Sequence, residues 1–360
     1  MITIGRMEYW KNGMMVRQYS SIPFFLDATL VSRLMEEEAM RHKLTTDLNK
    51  YPSRKRPALG AMIILALTLC QLSLAATPAK QKSFATPEEA VKAAVAAARS
   101  NDDKELLAIY GPRANELLFS GDAVADKQRR DRFLAAYDEK VSISSDGESR
   151  IVKVGNSEWP YPIPLVKNDS GWVFDTDKGR EEILNRRIGQ NELDATQVTL
   201  AYVDAQREFA TKDRDRDGLL EYAQKFRSDP GKKNGLYWEA KAGEAQSPLG
   251  LLVAEARSQG YGPNKANDKP VPYRGYYYRI LTAQGKDAPG GARSYLWRGK
   301  MIFGFALVAY PAEYGNSGVM SFIVNHDGNV FQKNLGANTA AIARSMKEYN
   351  PDKTWTAAKP

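Results

Sequence analysis

Asn191–Ala210, NELDATQVTLAYVDAQREFA, is the stretch whose reading decides the fold. Ala195, Val198, Tyr202, Ala205 and Phe209 recur at i, i+3, i+7, i+10 and i+14, the period of a helix with one apolar stripe. The helix is expected to run from near Lys178 to Thr211, with Gly189 as its weak point. Such a stripe has to be laid on a partner layer. Tyr276–Leu281, Phe303–Tyr310, Val319–Val324 and Val330–Lys333 are the strongest β-branched and aromatic runs of the chain and read as strands. Asn325–Asn329 (NHDGN) joins the last two as a hairpin turn. Residues 189–356 are therefore expected to form a long helix packed on an antiparallel four-stranded meander.

Upstream the pattern is different. Thr86-Pro87-Glu88-Glu89 is a helix start: Thr86 caps, Pro87 needs no N–H partner, and Glu89 closes a capping box. Ala90, Val91, Ala94, Val95 and Ala98 follow at helical spacing. Leu106, Leu107 and Tyr110 mark a second short helix, and Phe133, Leu134 and Tyr137 the buried face of a third over Asp126–Lys140. Short strand runs come next, at 141–143, 150–154, 163–166 and 171–174, separated by Asp-Gly, Gly-Asn and Asn-Asp-Ser turns. Helices followed by a meander predict a cone, a curved sheet wrapped around helices, over residues 84–188. The fold class is thus α+β in two domains.

Residues 1–75 read as something other than fold. Arg54-Lys55-Arg56 precedes ALGAMIILALTLCQLSLAA (58–76), and Ser73-Leu74-Ala75 supplies small residues at a cleavage site. Basic flank, apolar core and small exit make residues 54–75 a secretory signal cleaved after Ala75. Residues 1–53 are expected to be either a start-site artefact, with translation beginning at Met35 or Met40, or a disordered leader. Cleavage would also remove Cys70, the sole cysteine, so the mature chain needs no disulfide. The full chain of 360 residues carries 51 Lys+Arg and 43 Asp+Glu, a net of +8; residues 1–75 hold ten and six of these, leaving a net of +4 beyond. That mild, evenly spread charge is no footprint for nucleic acid. The expected location is periplasmic or secreted, and the expected membrane contact is through the signal alone.

Asp213-Arg214-Asp215-Arg216-Asp217-Gly218 has the alternate carboxylates and the glycine of the first half of a calcium loop. Asp213, Asp215 and Asp217, the Leu219 carbonyl and Glu221 are the candidate ligands, and Ca2+ is the one cofactor the sequence suggests. Gln224 stands where an EF-hand has its bidentate Glu, and Arg214 and Arg216 offset the charge. The bland alternative is a solvated turn.

Trp159, Tyr161 and Trp172 are candidates to line a small-ligand pocket in the cone, with core packing as the alternative. Acid–base chemistry there would fall to carboxylates such as Asp175 or Glu158. Tyr276 and Tyr278, in a cluster with Tyr273, Arg274, Tyr277 and Arg279, are candidates for a glycan- or protein-binding surface, beside a flexible loop at 263–272. His326, one of two histidines, falls in the hairpin turn. The sequence has no G-x-S-x-G elbow, phosphate loop, H-E-x-x-H or dinucleotide fingerprint.

Several long stretches carry a resemblance: NRRIGQNELDATQVTLAYVDAQREFA (185–210), GYYYRILTAQG (275–285), FALVAYPAEYGNSGVMSFIVNHDGNVFQKNLG (305–336) and YNPDKTW (349–355). On these, residues 84–356 resemble a bacterial exported-protein family called domain of unknown function family 2950, which implies no activity. TPEEAVKAAVAAARSNDDKELLAIYGP (86–112) and PIPLVKNDSGWVFD (162–175) are similar to the cones related to nuclear transport factor 2. The helix-plus-meander part is similar to type IV pilin-like and pseudopilin periplasmic domains. It departs from them at 179–194, which is charged where a pilin helix is apolar, so the likeness implies a layer and no filament. The expected function is a non-enzymatic binding or assembly module of the envelope, with a protein or glycan partner. The alternative is a small-molecule-binding or carboxylate-based hydrolytic enzyme using a pocket in the first domain.

Overall fold

The computed structural model describes residues 81–241, 243–262 and 270–358, and the backbone of two short strands near the start. These two, Met7–Lys11 and Met14–Gln18, pair as an antiparallel hairpin in a unit of their own, Met1–Ala79. The expected signal at 54–75, with Met35, Met40 and Cys70, lies outside the described residues. No described helix is long and apolar enough to cross a membrane.

Lys80–Pro360 is one compact α+β unit. It opens with α1 (Pro87–Ser100), whose first turn is capped by Thr86 Oγ1 accepting from Glu89 N–H at 3.1 Å, while the Glu89 carboxylate takes the Ala85 N–H. Helix α2 (Asp103–Tyr110) is capped by Asp102, and α3 (Ala123–Glu139) by Asp122. The third helix begins three residues before its expected start because Asp122 supplies the cap.

The first sheet follows: β1 (Val141–Asp146), β2 (Ser149–Val154), the short β3 (Trp159–Pro160), β4 (Leu165–Asn168) and β5 (Gly171–Phe174). All pairs are antiparallel in the order β1-β2-β4-β5, with β3 beside β2. The third run starts at Leu165, after Pro164, which offers no ladder donor. The concave side closes over α1 and α2 around Val91, Ala94, Ile109, Val152, Leu165 and Phe174.

Helix α4 spans Thr176–Phe209, 34 residues without a break. Gly189 does not interrupt it, and the expected boundary between residues 188 and 189 falls inside this helix. Its second half carries the predicted stripe: Ala195, Tyr202, Ala205 and Phe209 are buried, Val198 half so. Thr199 and Gln206 are buried as well, each with its polar atoms bonded.

The partner is the meander β6 (Tyr276–Leu281), β7 (Ala306–Pro311), β8 (Met320–Asn325) and β9 (Phe331–Asn334), with Thr356–Ala357 added as a fifth edge strand. Strand β7, buried at every residue, is its centre. It starts at Ala306, not at Phe303: Gly304 takes a φ of +134° and its backbone is pressed against the rings of Tyr295 and His326. Between α4 and the meander lies a second apolar cluster, with Tyr202, Phe305, Leu307 and Phe322 at its middle.

Candidate functional site

Three places bring together residues the sequence singles out. The first is the cone. Tyr110, Phe133, Tyr161 and Phe174 fill it, with ring centroids 4.6–6.5 Å apart. The Tyr161 hydroxyl donates to the Tyr110 hydroxyl at 3.1 Å, so the two buried phenols satisfy one another. Burial pushes both pKa values up, that of Tyr161 to about 12. What is left between these rings and Val91, Ala94 and Val152 is a void of about 10 Å3, the space of one water. Trp159 and Trp172 lie outside it. Trp159 is 39% exposed, with the Arg186 guanidinium 5.2 Å from its ring, and Trp172 is held the same way by Arg150 at 5.2 Å. Of the three aromatic candidates Tyr161 lines the void, Trp172 packs against the edge of the same apolar cluster, and Trp159 is exposed.

An open cleft of about 300 Å3 lies at the end of the cone, between Gln81, Pro112, Arg113, Val173, Asp175 and Asp177. Its carboxylates are engaged. Asp175 accepts the Lys178 N–H and caps α4, and Asp177 pairs with Arg113 at 2.7 Å. Glu158 pairs with Lys140 at 2.8 Å, and that hydrogen bond holds its carboxyl below the usual range. A general acid at neutral pH needs the opposite shift.

The second place is the acidic loop. Oxygens of Asp213, Asp215 and Asp217 lie within 4.8 Å of one another, as the alternate spacing implies. The hairpin Leu296–Trp297/Lys300–Met301 brings Lys300 onto them. The Lys300 ammonium is 2.6 Å from Asp215, in closer contact with Asp217, and 3.7 Å from Glu221. Those hydrogen bonds raise the Lys300 pKa and lower that of Asp217. Asp213 accepts the N–H groups of Arg216 and Gly218 at 2.7 and 2.8 Å, which depresses its pKa and closes the turn. The Leu219 N–H goes to Asp217, and Gln224 reaches back to the Gly299 carbonyl. Glu221 is shifted upward, chiefly by burial. The cluster the sequence pointed to is real, and a cation of the chain itself stands among its carboxylates.

The third is the tyrosine cluster. Tyr276 is fully buried, its hydroxyl donating to the Met320 carbonyl at 2.9 Å, and its ring packs on Phe322. Gly318 passes so close that a Cβ there would fall on the Tyr276 hydroxyl. The sequence reading makes Tyr276 a ligand-binding candidate; at the start of the edge strand β6, Phe322 and Gly318 cover it and leave it 0% exposed. Tyr278 is half-buried and Tyr277 packs on Tyr310 on the other face, so the alternation is as read. Arg274 is tied to Asp194 and Glu255 at 3.1 and 2.7 Å.

His326 sits in the turn after β8, edge-on to Tyr295. Its Nε2 is 3.2 Å from an Arg293 amine, and since Arg only donates, that nitrogen is the acceptor. Burial lowers its pKa. Ser317 is fully buried and exchanges hydrogen bonds with Glu313.

A polar seam between the two apolar clusters was not legible in the sequence. Arg187 on α4 is 5% exposed and donates to the Glu116 carbonyl at 2.8 Å, to the Leu117 carbonyl and to Asn316 Oδ1. Asn316 continues to the Phe119 carbonyl and to Glu313. Asp122, 1% exposed, accepts from the Tyr261 hydroxyl and the Gly275 N–H at 2.8 and 2.9 Å. The one signal was a charged segment, 179–194, inside a helix that otherwise buries a stripe.

A family model described as "Protein of unknown function (DUF2950)" matches residues 81–358, all but the ends of the unit Lys80–Pro360. Nothing among curated proteins and nothing among solved structures matches the chain.

Proposed function

We propose, for a chain that belongs to the DUF2950 family of proteins of unknown function, a non-enzymatic binding or assembly role at the bacterial envelope, after export to the periplasm or the exterior. The packed cone carries this reading. An enzyme of this build would work in a roomy interior with a carboxyl of raised pKa. The interior of this cone keeps room for about one water, ringed by apolar groups and two mutually bonded phenols. Export rests on the basic, apolar and small-residue order of 54–75. A protein or glycan partner suits Trp159, 39% exposed with the Arg186 guanidinium over its ring.

The test is to express the full chain from its own start and fractionate the cells. A mature form beginning at Ala76 in the periplasm or medium is expected, captured by cross-linking with an envelope component. An unprocessed chain confined to the cytoplasm overturns the reading.

The open cleft beside Arg113 and Asp177 favours a second reading, a small-molecule-binding or hydrolytic protein using the first half. A ligand that raises Tm in the full chain but not in Arg113→Ala would favour it.

A further inference from the structure

The two edges of the first sheet are finished differently. At β5, Phe84 closes the ladder: its N–H donates to the Trp172 carbonyl at 2.9 Å and its carbonyl accepts the Trp172 N–H at 2.8 Å. At the opposite edge stands β1, VSISSD, paired residue for residue with β2 from Val141↔Val154 to Asp146↔Ser149. Its outer side has no backbone partner among the described residues. The strand has no bulge and no proline, and its charges stand only at its ends, Lys140 just before it and Asp146 at its last position.

Two hydrogen bonds settle which groups face outward. Gly155 N–H donates to the Lys140 carbonyl at 2.9 Å, which makes Val141↔Val154 a pair of the non-hydrogen-bonded kind. Tyr161 N–H donates to the Val152 carbonyl at 2.7 Å, so the backbone of Val152 points away from its partner Ile143. By alternation, the N–H and C=O of Val141, Ile143 and Ser145 all point out of the sheet.

We propose that β1 is a dimerisation edge, pairing antiparallel with β1 of a second copy about a two-fold axis at Ile143. This register alone engages all three outward residues of both strands, with Ile143 opposite Ile143 and Val141 opposite Ser145. It is self-complementary in charge as well. Lys140 continues the strand in extended conformation, φ −164° and ψ 139°, and comes opposite Asp146 at each end. Its ammonium, on Glu158 in the single copy, is half-exposed and within reach of the new partner. Ser142 faces Ser144 beside it, a favourable cross-strand pair. On the other face Val141, 41% exposed, and Ile143 bring apolar surface to the axis. An isologous contact of this kind closes as a dimer and leaves no edge to propagate.

The inference deepens the assembly reading above, and the two fail separately. A monomer overturns the pairing and leaves export and an envelope partner standing; a cytoplasmic, unprocessed chain overturns the reading and leaves the dimer standing.

The test is sedimentation of the full chain from micromolar to millimolar concentration. A monomer–dimer equilibrium is expected. Ser145→Pro removes an outward N–H without touching the β1–β2 ladder and is expected to weaken dimerisation about tenfold or more. Asp146→Lys sets lysine against lysine and weakens it, and Lys140→Asp with Asp146→Lys restores it. Should Ser145→Pro fold poorly, hydrogen exchange of the unmutated protein reads the same contact: the amides of Val141, Ile143 and Ser145 gain protection as concentration rises. A monomer with those amides unprotected at millimolar concentration overturns the proposal, whatever other extended peptide it binds. So does a dimer indifferent to Ser145→Pro and to the charge exchange.

Discussion

The ammonium of Lys300 stands 2.6 Å from the carboxylate of Asp215, a residue 85 positions earlier in the chain. It draws one positive charge into a cluster of Asp213, Asp215, Asp217 and Glu221 that by spacing alone reads as half a calcium loop. A divalent ion entering this loop has to displace it. Addition of millimolar calcium, or of a chelator, is therefore expected to leave Tm unchanged. Lys300→Met, which removes the charge and keeps the stem, is expected to create calcium sensitivity seen as a rise in Tm and a heat of binding. Calcium binding by the unmutated chain in calorimetry would refute this.

Arg187 ties α4 to the carbonyls of Glu116 and Leu117 and to Asn316, so its loss strands several buried acceptors at once. Burial, with Arg129 nearby, pulls its pKa down to about 10, which still leaves it charged at neutral pH. Arg187→Met is expected to cost about 3 kcal/mol or more, since the acceptors lose their partners and gain no water. Urea unfolding measures it; a loss within about 0.5 kcal/mol, the range of a surface change, would refute the role.

Gly318 lies against the buried Tyr276 hydroxyl with no room for a side chain. Gly318→Ala is expected to destabilise by about 1–3 kcal/mol through overpacking. Adding Tyr276→Phe should recover only part of this, because the ring itself is also too close. Thermal unfolding of the single and double variants tests the order.

His326 is disfavoured in its charged form by burial, and Arg293 beside its Nε2 acts in the same sense. The folded pKa lies below the ordinary value near 6.5, so at acid pH the unfolded chain takes up a proton that the folded chain resists. Stability from this group is complete above about pH 6.5 and falls as pH drops through that region. Tm followed from pH 8 to 5 is expected to decline, and His326→Gln, which can still accept from Arg293, to flatten the slope. An identical slope in the variant would exclude His326 as its source.

The elements were legible wherever a local rule was strong. Thr86, Pro87 and Glu89 mark the start of α1 through groups three residues apart, and the structure uses all three. The meander followed from its β-branched runs; its third and fourth strands began one residue late and its second three, at Ala306, because Gly304 runs against the rings of Tyr295 and His326. The site residues divided by the same measure. Asp213, Asp215 and Asp217 converge because a turn of five residues brings them together. Trp159 stayed exposed while Trp172 packs on the edge of the apolar cluster, since along short strands the choice of face is left to the register with the neighbours. Tyr276 and Tyr278 share a face as read, yet only the packing of Phe322 and Gly318 buries the first.

By itself the sequence determined what propensity, capping and period can encode: helices α1 to α4, the runs of the two sheets, the stripe of α4 and the acidic loop, each set by residues within a few turns of one another; the helices Gly250–Ser258 and Thr339–Ser345 were not read from it. Tertiary structure alone decided what is charged, filled or open. It set Lys300 among the aspartates and Arg187 under the carbonyls of another helix. It filled the cone with two phenols bonded to each other, and among the described residues it left the outer edge of β1 without a backbone partner. Each of these is a meeting of groups far apart in the chain, and the free energy of a charge or a backbone donor is set by what faces it in space.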